Sequence, residues 1–405
     1  MKTVFTGLLF AFVAVTASAA TPPQYVLMWG TMGSAEGQCG ACYLPDVDET
    51  GDVYVPDRDN ERIQRFAWDG NFVAAWGDSG SGIGEFRTPE SVAVCGDTVY
   101  VADFYNDRIE MFLREGTFIG GWGGPGPGPG FFYGPRVAVD RTRSCVYVAD
   151  WNNFRVQKFT LDGVFITMWG EFGQNPGEFD HPGGLAVDAV GDVYVADVTN
   201  DRIQKFSGDG TFLWVLGSEG SGPGQFSGPQ DVAVDELRQL LYVADTINHR
   251  IQAFSLGGAF VMEWGSQGSG PGEFLAPLGV AVDETGNRVY VSDRGNYRIQ
   301  LFAYATTGVE QTPGIDLALR VGPNPFGAHT TISYALPGDL PVSIAVFDVN
   351  GRRVRALKAR RETAGEHHLS WAGTDDDGRP AASGLYFVRI STPIGSETRK
   401  VVLIR

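Results

Sequence analysis

The chain has 405 residues, 43% hydrophobic and 20% charged, a composition that fits a folded protein too long for one ordinary compact core. Residues 21–312 hold 18 Lys/Arg against 39 Asp/Glu, a net −21, and an acidic body of that size repels phosphate backbones, which makes nucleic acid a poor partner. Glycine, 55 of 405, is well above its usual share and lacks the every-third-residue period of collagen, so many tight turns between short strands account for it best.

In chain order, residues 1–19 read as a signal peptide. Lys2 gives the positive start, residues 4–15 the apolar stretch, and Ala17-Ser18-Ala19 the small-residue cleavage site. No Cys follows to take a lipid anchor, and no later stretch approaches the ~20 apolar residues a transmembrane helix requires. The expectation is an exported mature chain.

From residue 24 to 304 one motif recurs six times, as in "YVADVTNDRIQKF" at 194–206. The copies start at Tyr54, Tyr100, Tyr147, Tyr194, Tyr242 and Tyr290, with spacings of 46, 47, 47, 48 and 48 residues. Such a period marks a propeller or solenoid. Each unit resolves into four short strands, in the fourth copy "GLAVD", "VYVAD", "RIQKF" and "TFLWVLG". Strands apolar on most positions need cover on both faces, and a ring of sheets supplies it. The fourth strand carries an aromatic and then Trp-Gly, from Phe72 to Trp76, Phe118 to Trp122, Phe165 to Trp169 and Phe260 to Trp264. In the fourth unit Leu216 holds the Trp place. No such strand follows the sixth motif, whereas "YVLMWG" at 25–30 stands alone at the other end. Residues 25–29 are therefore expected to close the last blade, giving an all-β, six-bladed β-propeller of four-stranded blades.

These units resemble NHL repeats, most closely at "INHRIQ", 247–252, and six blades is the usual count for that family. Blade 1 departs from the pattern, with Cys39 and Cys42 where a later copy has Phe179 and Pro182. Residues 305–316 lose the repeat and read as a linker. Residues 317–405 then give short strands such as "TTISYAL", "VSIAVFDVNG", "HHLSWAG" and "GLYFVRI", the signature of a small β-sandwich. With "PNPF" at 323–326, "VFDVNGR" at 346–352 and "WAGTDDDGRPAASGLY" at 371–386, this region is similar to FlgD-type Ig-like modules and to type IX secretion sorting domains. The resemblance implies an export or surface-attachment module that engages export machinery. It implies the cell surface or exterior of a diderm bacterium, with the periplasm as the alternative.

Candidate sites are weighed against the repeat. Asp57, Asp103, Asp150, Asp197, Asp245 and Asp293 each end a second strand and precede Asn and Arg at fixed offsets. Six equivalent sets suit a structural turn better than catalysis, which uses one unequal set. A lyase or lactonase with a channel-bound metal is the enzymatic alternative, but zinc usually takes three protein ligands and this region offers only His181 and His249. No cofactor is expected; a channel-bound calcium ion stays open, because Asp48, Asp140, Asp188, Asp235 and Asp283 end first strands. Four cysteines in an exported chain point to disulfides, with three pairings open; a local Cys39–Cys42 bridge leaves Cys95 and Cys145 on neighbouring blades.

What the repeat leaves free is asymmetric. Second-to-third and fourth-to-first loops of a propeller share one face. On blades 2 and 3 that face would present Phe104, Tyr105, Trp151 and Phe154, with Phe131, Phe132 and Tyr133 on the connecting loop. The corresponding turns elsewhere carry Val198-Thr199, Thr246-Ile247 and Arg294-Gly295. An aromatic cluster of this kind binds a protein or glycan ligand, or else packs under its own loops. The leading expectation is a non-catalytic binding propeller delivered to the surface by its C-terminal module.

Overall fold

The computed structural model describes residues 21–283, 285, 287–304, 317, 319–336, 340–348, 353–376, 378–392 and 395–405. The expected signal peptide and the whole 305–316 linker lie outside the described residues, and so does part of the 346–352 motif. The chain divides after Ala305 into two compact units.

The first unit is a six-bladed β-propeller. Blade 1 comprises Asp46–Val47, Val53–Asp57, Arg62–Phe66 and Phe72–Trp76. Blades 2 and 3 start at Pro89–Cys95 and Pro135–Asp140, blades 4 and 5 at Pro182–Val187 and Pro229–Asp235. Each is a four-stranded antiparallel meander in chain order. Blade 6 takes Pro277–Asp283, Arg288–Asp293 and Arg298–Ala303 from the end of the repeat and Gln24–Trp29 from its beginning. The closing pairs run from Gln24 opposite Ala303 to Trp29 opposite Ile299. The ring is thus sealed by hydrogen bonds between first and last repeats, as the displaced strand predicts.

Blades adhere through a repeated aromatic relay. Trp122 at the end of blade 2 lies 6.2 Å from Tyr100 of its own blade and 5.5 Å from Phe159 of blade 3. Gly163, at φ +80°, lets it approach, because a Cβ there would sit 2.5 Å from the indole. The same relay joins Trp29 to Tyr290 and Phe66, and Trp169 to Tyr147 and Phe206. Blade 4 modifies it: Leu216 does not substitute alone, because Trp214, two residues earlier on the same strand face, packs edge-on against Tyr194 at 5.8 Å. A period-two strand makes that shift possible without turning the ring to solvent.

A second aromatic plug sits in five of the six inter-blade loops. Phe86, Phe132, Phe179, Phe226 and Phe274 are all 0% exposed. Blade 1 has Cys39 in this place, joined to Cys42 by a disulfide with Cα atoms 5.8 Å apart. Cys95 and Cys145 are free thiols, and burial pushes both up in pKa, away from thiolate chemistry.

The second unit is a small Ig-like β-sandwich. Arg320–Gly322, Thr330–Leu336 and Gly365–Trp371 form one sheet. Arg353–Glu362, Leu340–Asp348, Gly384–Thr392 and Gly395–Leu403 form the other, in that order. Trp371 closes the core between the sheets, 5.3 Å from Phe326 and 5.2 Å from Tyr386.

Candidate ligand-binding face

The loop face of the propeller is built on the six repeated aspartates, all 0% exposed. Asp197 accepts the N–H of Asp180 at 2.7 Å, Asn200 Nδ2 at 2.9 Å, Arg202 Nε at 2.6 Å and Gln204 Nε2 at 3.1 Å. Arg202 reaches onward to the carbonyls of Gln174, Asn175 and Glu178 in the loop entering blade 4. Each cluster thereby latches a second-to-third turn to a fourth-to-first loop. Asp57, Asp150, Asp245 and Asp293 repeat the pattern, down to Gln64, Gln157, Gln252 and Gln300. Burial pushes the Asp103, Asp150 and Asp197 carboxyls up, against the pull of these donors. The latch holds the residue after Asn in the left-handed region, Phe154 at φ 56° included.

Blade 2 alone has a carboxyl in the glutamine position. Glu110, 3% exposed, accepts the N–H of Gly84 through Oε1, while its buried Oε2 has no partner. Burial pushes this carboxyl up to about 7; Arg108 opposes the shift and Asp103 adds to it. Protonated, it presents an O–H where the other blades present an amide N–H. The folded form therefore keeps a proton that the unfolded chain releases near the ordinary 4.5, so stability from this group falls as pH rises from 4.5 to 7 and is flat above. Glu110→Gln is expected to be the more stable protein at pH 8, by on the order of 1 kcal/mol after solvent screening, and no more stable at pH 5. Melting curves of both proteins across that range check this, and parallel pH profiles would remove the argument.

On this frame the structure gathers an aromatic chain. Phe104 lies 5.2 Å from Tyr105 and 6.5 Å from Trp151; Trp151 is 5.0 Å from His181, His181 is 5.2 Å from Phe154, and Phe154 is 4.9 Å from Phe172. Tyr105 and Phe172 are exposed, Trp151 and Phe154 half-buried. Two expected surface residues need correction. Phe132 is the loop plug of blade 3, packed 5.7 Å from Phe159 in the core, and Phe104 is buried beneath the cluster. Phe131 and Tyr133 are exposed, with Phe131 folded over Gly126 of its own loop.

At the channel mouth beside this chain lies a polar group that the motif reading did not single out. Arg136 stacks over Trp151 at 4.4 Å, pairs with Glu90 at 3.0 Å and donates to Gln230 at 3.1 Å. Arg58 meets Glu90 at 3.3 Å and lies 5.0 Å from the Tyr43 ring, with Arg294 5.5 Å from the same ring. Arg87 lies 5.9 Å from Tyr105. Glu90, Arg136 and Gln230 each follow the proline that opens an inner strand, a position that varies from blade to blade. His181 stands 2.6 Å from Asp180 and 3.2 Å from Thr199. His249 instead accepts the N–H of Ala276 at 3.0 Å, a turn contact.

Below the mouth the channel is a cavity of about 140 Å³ walled mostly by Val92, Val137, Leu185, Val232 and Val280. Asp231 faces it, accepts the N–H of Val280 at 2.9 Å, and is pushed by burial up to about 8. The first-strand aspartates are not at the mouth. They end the inner strands at the far face, where Asp188 accepts from Tyr194 Oη and the Asp192 N–H, and Asp48 from Tyr54 Oη and the Thr50 N–H. Among the described residues no group of three or more His, Cys, Asp or Glu side chains is arranged to hold a metal. The residues present at the channel therefore do not fit the catalytic metal of a lyase or lactonase.

A family model described as a 6-bladed beta-propeller matches residues 187–264 and 236–322, and the FlgD Ig-like domain model matches residues 326–396. No curated protein sequence matches the chain. Among solved structures it is similar to a protein of unknown function from Bacteroides thetaiotaomicron, at 18% identity and TM-score 0.52 over 68% of this chain and 76% of that one. It is also similar to a gluconolactonase from Xanthomonas campestris, at 15% identity and TM-score 0.50 over 70% of this chain and 95% of that one. At these identities the likeness is one of fold. No helix among the described residues is long and apolar enough to cross a membrane.

Proposed function

We infer that the protein is an exported, non-catalytic binding module of the NHL-repeat type. Its propeller takes a protein or glycan ligand on the loop face, and its Ig-like unit engages export machinery or holds it at the cell surface. One observation carries this reading: six equivalent latches support one unequal surface, with Tyr105, Trp151, Phe154, Phe172 and His181 confined to blades 2 to 4. Turns that served folding alone would not need such rings exposed, since the Asp-Asn-Arg network already satisfies their backbone.

The test is binding of the full chain to arrayed glycans and displayed peptides, compared with a Tyr105→Ala, Trp151→Ala double variant. A loss of at least about tenfold in affinity for whatever the parent captures is expected, since buried aromatic anchors dominate such interfaces. Unchanged capture by a variant with the parent's melting temperature would show that the ligand sits elsewhere.

A further inference from the structure

We propose that the ligand of this face is an acidic glycan, a saccharide bearing carboxylate or sulfate groups, held by the guanidinium groups around the channel mouth. This rests on the binding reading above and narrows it. The propeller region as a whole is strongly acidic, so cations concentrated on one face need a local reason. Four arginines lie over aromatic rings there: Arg58 and Arg294 at Tyr43, Arg87 at Tyr105 and Arg136 at Trp151.

The four are not equivalent. Arg136 is buried and spends its donors on Glu90 and Gln230, and Arg58 is shared between Glu90 and Asp59. Arg87 and Arg294 are exposed and have no acidic side chain within ion-pair distance among the described residues. Their guanidinium carbons lie 5.9 Å from the Tyr105 ring and 5.5 Å from the Tyr43 ring, which orients a planar fork of donors without consuming it. A fork of that kind is matched by carboxylate or sulfate oxygens. The exposed Tyr105 and the half-buried Trp151 beside them suit the C–H faces of pyranose rings, apolar on one side and ringed by hydroxyls.

An acidic peptide shares the charge but fits less well. Extended peptides bind chiefly by adding to a sheet edge or by laying a helix in an apolar groove. This face offers turns, and their backbone groups are already engaged by the aspartate and arginine latches.

Titration calorimetry of the full chain decides the matter. The probes are oligomers of galacturonate, glucuronate, mannuronate and guluronate, a sulfated dextran oligomer, neutral galactose and glucose oligomers, and hexaglutamate. At least one acidic saccharide is expected to bind, to weaken with added salt, and to weaken about tenfold or more in an Arg87→Gln, Arg294→Gln variant. Uronates and the sulfated oligomer separate the two sources of negative charge. Both arginines are exposed, so the variant keeps the parent's melting temperature. Equal binding of a neutral oligomer overturns the acidic ligand while leaving the binding face intact. Binding of hexaglutamate but no acidic saccharide overturns the glycan class, and no binding by any acidic saccharide overturns the proposal.

Discussion

A chain that starts at Thr31, lacking Gln24–Trp29, is expected to lose the cooperative unfolding of the propeller and to associate through the exposed edge. The strand pairs with Ile299 to Ala303 along one side of the Arg298–Ala303 strand. It also carries two links of the aromatic relay, since Tyr25 lies 6.2 Å from Phe302 and Trp29 lies 6.0 Å from Tyr290 and 5.8 Å from Phe66. Its loss uncovers an unpaired strand and opens the seam between blade 6 and blade 1, a ready template for another chain. The milder Trp29→Ala change keeps the backbone pairing and removes only the seam packing, with a cost of about 3 kcal/mol, as for other large-to-small aromatic changes. Thermal unfolding followed by circular dichroism, with light scattering for mass, separates the two. A truncated chain that melts where the parent does, as a monomer, would contradict the ring closure.

Much of this fold is legible because each repeat is one blade and each blade must bury the same shapes. Gly210 and Phe206 recur because both receive Trp169 of the preceding blade, and Tyr194 recurs because it packs the tryptophan of its own blade. The closing strand is legible for the same reason, since the last unit lacks an outer strand and the segment at 24–29 has one to spare. Less legible was Trp214, which takes the packing role from a position two residues away. In the sandwich, the long strands at Leu340–Asp348 and Gly384–Thr392 follow their apolar alternation. The short Arg320–Gly322 strand has too few residues to show any period.

The placement of the loop-face rings was legible in outline and wrong in detail. Phe132 looked like a surface ring because three aromatics stand together on its loop. Its column in the repeat, shared with Phe86, Phe179, Phe226 and Phe274, shows it to be a plug. His181 stood out in sequence only as a stray histidine; its place between Trp151 and Phe154 depends on loops of two blades meeting, which spacing does not reveal. The arginines were hidden differently. Arg58 and Arg136 lie 78 residues apart and share Glu90 only because the ring brings the second-to-third turn of blade 1 beside the inner-strand starts of blades 2 and 3.

Asp197→Ala is expected to cost about 3–5 kcal/mol, the usual penalty for leaving a buried charge without its partner. Arg202 loses its carboxylate while still held by three loop carbonyls, and Asn200 and Gln204 each lose an acceptor in a site closed to water. Asp197→Asn restores one oxygen. It also points an amide at Arg202 Nε or at the Asp180 N–H, so at least one donor faces a donor and recovery is partial. The damage should be local first, because the latch ties the 198–201 turn to the loop at 173–180. Amide hydrogen exchange is expected to accelerate in those two segments before the rest of blade 4, and chemical denaturation gives the free energy. Gln204→Glu is the companion change, because it places in blade 4 the carboxyl that Glu110 already places in blade 2. It should make that blade's stability fall as pH rises, and a protein as stable at pH 8 as at pH 5 relative to the parent would show that the glutamine position is not part of the latch.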